Sequence, residues 1–187
     1  MEKNNTTYFQ DGKEYIRLTS VIPKNFDMVH PLVMEKACEL GDNVHLACHL
    51  HDTRQLAMAS VDAVVMKYLQ AWIKFLSSYN LTVLYSEKTI VSDRYGVGTT
   101  FDRVLVDSHM RNILAEIKTV SAMSEDVGTQ LGGQELIIND VMPLLNIHKK
   151  WGVQLKPDGT FRVYPYDDIK YRILYKKLLK EYKENMK

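Results

Sequence analysis

The sequence predicts an α/β domain, a central mixed sheet flanked by helices, and three observations lead to it. Before residue 80 the apolar residues recur mainly at helical spacing. From Leu81 the period changes: "LTVLYSEKTI", "GTTFDRVLV" and "NILAEIKTV" are rich in β-branched residues and are divided by the turn-forming stretches "VSDRYG" and "DSHMR". After Glu125 helical spacing returns, followed by a hairpin signal and a last helix. With 187 residues and 45% hydrophobic content, one domain over residues 1–187 has ample apolar material for a core, and disorder is not expected.

Each element has a local reason. "EYIRLTSVIP" reads as a short strand ending at Pro23. "HPLVMEKACEL" reads as a helix with Pro31 in its first turn and Gly41 just past its end, and "DNVHLACHLHD" as a second helix. A longer helix is expected through "LAMASVDAVVMKYLQAWIKFLSSY", with Trp72 and Phe75 in the core. The three β-rich segments form a meander. "EDVGTQLGGQELIINDVMPLL" is helical despite Gly132 and Gly133, and "WGVQLKPDGTFRVYPY" is a hairpin around Pro-Asp-Gly that includes Trp151 as a core residue. A helix from about Asp168 closes the chain. The core is expected over residues 31–142, with the hairpin and a basic helix over 151–187.

Charge and cysteine content narrow the function classes. Net charge is only +1, but residues 148–187 hold eleven Lys/Arg against five Asp/Glu, so a basic end is joined to an acidic body. That distribution suits a chain holding a polyanion beside a carboxylate cluster. Cys38 and Cys48 form no CxxC pair and cannot supply the four ligands of an iron–sulfur cluster, so both are expected to be buried, reduced thiols. No apolar run approaches a membrane span, and the polar start "MEKNNTTYFQDG" lacks the regions of a signal peptide. The expected location is the cytoplasm, with no membrane partner.

The polar residues that interrupt the strands form one set. Glu87 lies in or after the first strand, Asp102 on the second, Glu116 and Lys118 on the third, and Gln130 in the following helix. At a strand period of two, Glu116 and Lys118 share a face. Adjacent strands run about 4.8 Å apart, so carboxylates on neighbouring strands can converge. Such oxygen donors select hard cations, Mg²⁺ or Mn²⁺, and a lysine beside them can stabilise developing phosphoryl charge. Phosphodiester hydrolysis is the chemistry that fits.

The order Glu87, Asp102, Glu116-x-Lys118, Gln130 resembles the PD-(D/E)XK nuclease superfamily, specifically its RecB-like exonuclease branch of phage recombination systems. "EIKTV" is similar to that branch's "DIKTG" strand, "TFDRV" to its "GTxDxV" strand, "GDNVH" to an upstream helix motif ending in a metal-binding His, and "YIRLTSV" to its "YxxPSVT" segment. The resemblance spans residues 14–135 and implies a restriction-endonuclease-like core. It implies His45, Asp102 and Glu116 on the metal, joined by the carbonyl of Ile117, with Lys118 as the catalytic lysine and Gln130 near the scissile phosphate. It further implies exonucleolytic cleavage of single- or double-stranded DNA in phage or mobile-element recombination or repair, with a recombination or single-strand-binding protein as a partner. Two positions depart from the family pattern: Gln134 stands where tyrosine is usual, and Thr99 where glycine is.

Two other readings come from the same residues. One is a nuclease-fold binding or inhibitory module without turnover. The other is a zinc hydrolase on His45 and His49, which stand four apart on a helix but lack a zincin's adjacent Glu. Beyond His45, the nearby His49 and His51 read as structural. In the last helix Tyr171, Leu174, Tyr175, Leu178 and Tyr182 form a packing stripe, and Lys176, Lys180, Lys183 and Lys187 line another face as a solvated or phosphate-tracking stripe.

Overall fold

The structure is a computed structural model that describes residues 2–3, 7–23 and 30–186. Strands β1 (Glu2–Lys3), β2 (Thr7–Gln10) and β3 (Lys13–Arg17) come first, and a 3₁₀ turn, Leu18–Ser20, follows. The β2–β3 hairpin turns on Asp11 and Gly12, both at positive φ (52° and 76°), the pairing that lets a two-residue turn match strand twist. The hairpin lies where the sequence shows only a polar start, and β3 ends at Arg17 rather than running on to Pro23 as expected. Lys187 lies outside the described residues.

Helix α1 (Pro31–Asp52) is one helix where two were expected. Its N-cap, His30, accepts the Leu32 N–H through Nδ1 (3.3 Å), and Pro31 takes the first position, where a missing N–H costs nothing. Gly41 costs a helix only about 1 kcal/mol relative to Ala, so with Val44, Ala47 and Cys48 buried beyond it the helix runs on. It stops just before Arg54, the residue with left-handed φ (60°). Cys38 is exposed rather than buried, and Cys48 is buried. Helix α2 (Ala63–Ser78) starts later than expected because the Asp62 carboxylate accepts the Val64 and Val65 N–H groups (2.8 and 3.4 Å). Trp72 and Phe75 are fully buried on it.

The meander is as the pattern predicts: β4 (Thr82–Ser92), β5 (Val97–Val106) and β6 (Asn112–Lys118), paired antiparallel. Helix α3 (Glu125–Val141) carries the chain to β7 (Ile147–Leu155), which is parallel to β6; β8 (Phe161–Pro165) forms the hairpin, and α4 (Lys170–Asn185) follows. Among the described residues the eight strands form one mixed sheet in the order β1-β2-β3-β5-β6-β7-β8, with β4 on the other edge of β5. Helices α1 and α2 cover one face, over Leu105, Ile113, Ala115, Ile117 and Val153; α3 and α4 cover the other, over Phe101, Val104 and Leu114.

Alternation along β6 follows from this. Ile113, Ala115 and Ile117 face α1 and α2, so Leu114, Glu116 and Lys118 face α3. Helix α4 packs against α3 through glycines: a Cβ on Gly132 would lie 2.6 Å from the Tyr171 carbonyl carbon, and one on Gly133 would lie 2.7 Å from the Tyr175 ring. The "QLGG" sequence therefore serves helix packing. The buried line on α4 is Tyr171, Tyr175 and Leu179, and Leu174, expected in it, is 43% exposed. Among the described residues no helix is long and apolar enough to cross a membrane.

Candidate active site

The site begins as a gap in the sheet. Strand β4 pairs with β5 along one edge from Val97 to Val106, so β3 and β6 must share the other edge. Strand β6 takes residues 103–106 and β3 takes 97–98, which leaves residues 99–102 without a strand neighbour there among the described residues. At this window the side chain of Asp102 replaces a strand: its Oδ2 accepts the Ile117 N–H at 2.7 Å. The carbonyl of Ile117 is likewise free of β5 and lies 3.1 Å from His45 Nε2. A cleft of about 470 Å³ opens over the window, lined by His45, Glu87, Asp102, Glu116, Lys118 and Gln130 among others.

His45, Glu87 and Asp102 each place one ligand atom within 4.8 Å of the other two. His45 Nδ1 lies 3.4 Å from Glu87 Oε1 and 3.6 Å from Asp102 Oδ1. Glu87 is in the middle of β4 yet has φ 49°, a left-handed conformation that costs a non-glycine residue on the order of 1 kcal/mol or more. Arg103 Nη1 donates to its Oε1 at 2.9 Å. Glu116 stands apart from this trio and is covered by donors. Lys118 Nζ and Gln130 Nε2 each donate to its Oε1 at 2.7 Å, and Gln134 Nε2 donates to its Oε2 at 3.2 Å.

Titration behaviour follows from burial and crowding. Burial works against a charged His45, but Asp102, Glu87 and Glu116 outweigh it and push its pKa up to about 9. Burial first, and the Glu116 charge second, push Asp102 up to about 7, against the pull of His45 and Lys118. Burial would raise Glu87, yet His45 and Arg103 hold it below the ordinary carboxylate range. Burial would lower Lys118, yet Glu116 and Asp102 outweigh it and raise its pKa, so the ammonium stays charged. The pocket thus gathers three carboxylates and retains protons to balance them, and a cation can take the place of those protons.

All the residues singled out in the sequence, His45, Glu87, Asp102, Glu116, Ile117, Lys118 and Gln130, come together here. The trio that can share one ion falls within the expected metal set of His45, Glu87, Asp102, Glu116 and the Ile117 carbonyl, but it leaves Glu116 outside. His49 Nδ1 pairs with the Ser86 hydroxyl at 2.7 Å and does not join His45 in a ligand group among the described residues. Sequence reasoning missed Arg103 and Asp52, an ion pair with side chains 0% and 1% exposed. The available signal was a cation between apolar residues in "FDRVLV", which a buried strand tolerates only with a carboxylate beside it. Gln134, which the sequence shows only as a departure from the family pattern, supplies a buried amide as the third donor to Glu116. A scan against protein-family models finds no match to this chain, and a search of curated proteins finds none either.

Proposed function

We propose that this chain is a Mg²⁺- or Mn²⁺-dependent phosphodiesterase acting on DNA, with a restriction-endonuclease-like core of the PD-(D/E)XK kind. The observation that carries the reading is the window in β5, where His45, Glu87 and Asp102 converge beside the Ile117 carbonyl and open onto the same cleft as Lys118. The donor chemistry fits a hard cation: two carboxylates and a carbonyl supply oxygen, and the single imidazole favours Mn²⁺ over Mg²⁺. An ion held there supplies Lewis-acid stabilisation of charge on a phosphoryl oxygen.

The chain's own residues would do the rest. Lys118, kept protonated by Glu116 and Asp102, presents its ammonium to the cleft, where it can bind a phosphate oxygen as charge accumulates. Glu116 fixes that ammonium at 2.7 Å, and the Gln130 amide fixes Glu116 from α3. Exonucleolytic digestion, and a place in phage or mobile-element recombination, rest on the sequence likeness alone.

The second reading, a module that binds without turnover, is favoured by the third donor on Glu116, Gln134, where the family's tyrosine is expected. End-labelled single- and double-stranded DNA incubated with the protein in Mg²⁺, Mn²⁺ or EDTA separates the two. Metal-dependent release of label that EDTA abolishes supports the phosphodiesterase. Intact DNA from a protein that binds Mn²⁺ supports the module.

A further inference from the structure

Arg103 follows Asp102 on β5, points to the α1–α2 side of the sheet and is fully buried. Its Nε donates to Asp52 Oδ2 (2.5 Å), its Nη1 donates to Glu87 Oε1 (2.9 Å) and to the Asp102 backbone carbonyl (2.7 Å), and its guanidinium lies 5.6 Å from the centre of the Trp72 ring. Asp52 is held in turn by the Trp72 indole N–H at 2.8 Å. Nη2 is buried with no hydrogen-bond partner among the described residues.

Stability is a poor account of this arrangement. A buried ion pair is commonly no better than apolar residues of the same volume, and a buried donor left unpaired is a net cost. The contacts point instead to the cleft. One planar guanidinium touches both the side chain of Glu87 and the backbone of Asp102, two of the three residues that can share an ion. It also occupies Oε1 of Glu87 together with His45, which leaves Oε2 as the oxygen without such partners among the described residues.

We infer that Arg103 is a positioning residue: anchored by Asp52, it holds Glu87 in its left-handed conformation with its carboxylate beside His45 and Asp102. This rests on the metal-dependent reading of the site. A lysine cannot replace it, because a single ammonium on a flexible stem does not span Asp52, Glu87 and the Asp102 carbonyl together. Electrostatics alone makes the opposite prediction, since removing a cation beside three carboxylates should tighten metal binding.

The test is a Mn²⁺ titration of the full chain, followed by calorimetry, alongside thermal unfolding without metal. Arg103→Met and Arg103→Lys should each weaken Mn²⁺ binding about tenfold or more, the usual scale for a residue supporting a ligand. The double variant Asp52→Asn/Arg103→Met removes the unpaired buried carboxylate yet keeps an acceptor for Trp72. It should recover the stability lost in Arg103→Met without recovering Mn²⁺ affinity. In a Glu87→Gln background Arg103→Met should cause no further loss. Mn²⁺ affinity that is unchanged or tighter in Arg103→Met, that returns with stability in the double variant, or that falls equally in the Glu87→Gln background overturns the inference. Wild-type protein that binds neither Mn²⁺ nor Mg²⁺ overturns the metal reading as well.

Discussion

Two buried ionic networks lie on this sheet, and they differ in what they leave open. Beside β7, Lys150 donates from Nζ to Glu135 Oε2 at 3.0 Å, its backbone N–H goes to Asp167 Oδ1 at 2.6 Å, and Arg172 stands 3.5 Å from the same Glu135. That network ties β7 to α3 and to the start of α4. Beside β5, Glu87, Asp102 and Glu116 face His45, Arg103 and Lys118 around an open cleft, with a strained backbone at Glu87 and carboxyl and imidazole groups pushed away from their ordinary titration range. The first network is closed by its own partners and acts as a clasp. The second sets three carboxylates close together beside solvent, an arrangement open to a cation.

The strongest way to break the comparison is Lys118→Met. The lysine is not a ligand, so Mn²⁺ should bind as well or better, while cleavage of end-labelled DNA should fall by about a hundredfold or more. Near wild-type cleavage would reduce the second network to a clasp like the first.

Lys150→Met asks the converse. It leaves Glu135 with Arg172 alone and should cost about 3 kcal/mol of stability by urea unfolding. Mn²⁺ affinity by calorimetry should not change, because none of these groups lines the cleft. A parallel loss of Mn²⁺ affinity would show that the two networks act as one.

The pH dependence of stability sharpens the difference. In the metal-free protein Asp102 is raised from an ordinary 3.8 to about 7 and His45 from 6.5 to about 9, so the folded state holds protons that the unfolded chain has released. The contribution of Asp102 is complete below about pH 4 and lost as pH rises through 7. That of His45 is complete below 6.5 and lost as pH rises through 9. Thermal unfolding in EDTA should therefore show a decline from pH 5 to 9 that is weaker in Asp102→Asn, and Mn²⁺ should stabilise more at pH 8 than at pH 6. A decline of the same size in Asp102→Asn would move the protons elsewhere.

The smallest expected effect concerns α4. Lys180 stands 3.9 Å from Glu184 and Lys183 donates to the Tyr95 carbonyl at 2.8 Å, so part of the basic stripe is already engaged. Charge reversal at Lys176 and Lys180 should lower the salt dependence of DNA binding by about one or two phosphate contacts. An unchanged slope in a log–log salt titration assigns the helix to packing.

Much of the fold was legible in the sequence because it depends on short-range period. The meander from β4 to β6, the β7–β8 hairpin and helices α3 and α4 all follow from alternation, helical spacing and turn residues. Asp102, Glu116, Lys118 and Gln130 stood out as polar interruptions of that period, and His45 through a motif on its helix. Tertiary structure decided the rest. Whether Gly41 ends a helix depends on what the next turn packs against, and whether Gly132 is a defect depends on how near α4 comes. That β5 passes from β6 to β3 and leaves a window at 99–102 is a relation between distant strands, which no local pattern encodes. The same holds for Arg103, whose partners Asp52 and Glu87 are 51 and 16 residues away. A sequence reveals where a charge interrupts an apolar run, but only the packed chain brings up the opposite charge that makes its burial tolerable.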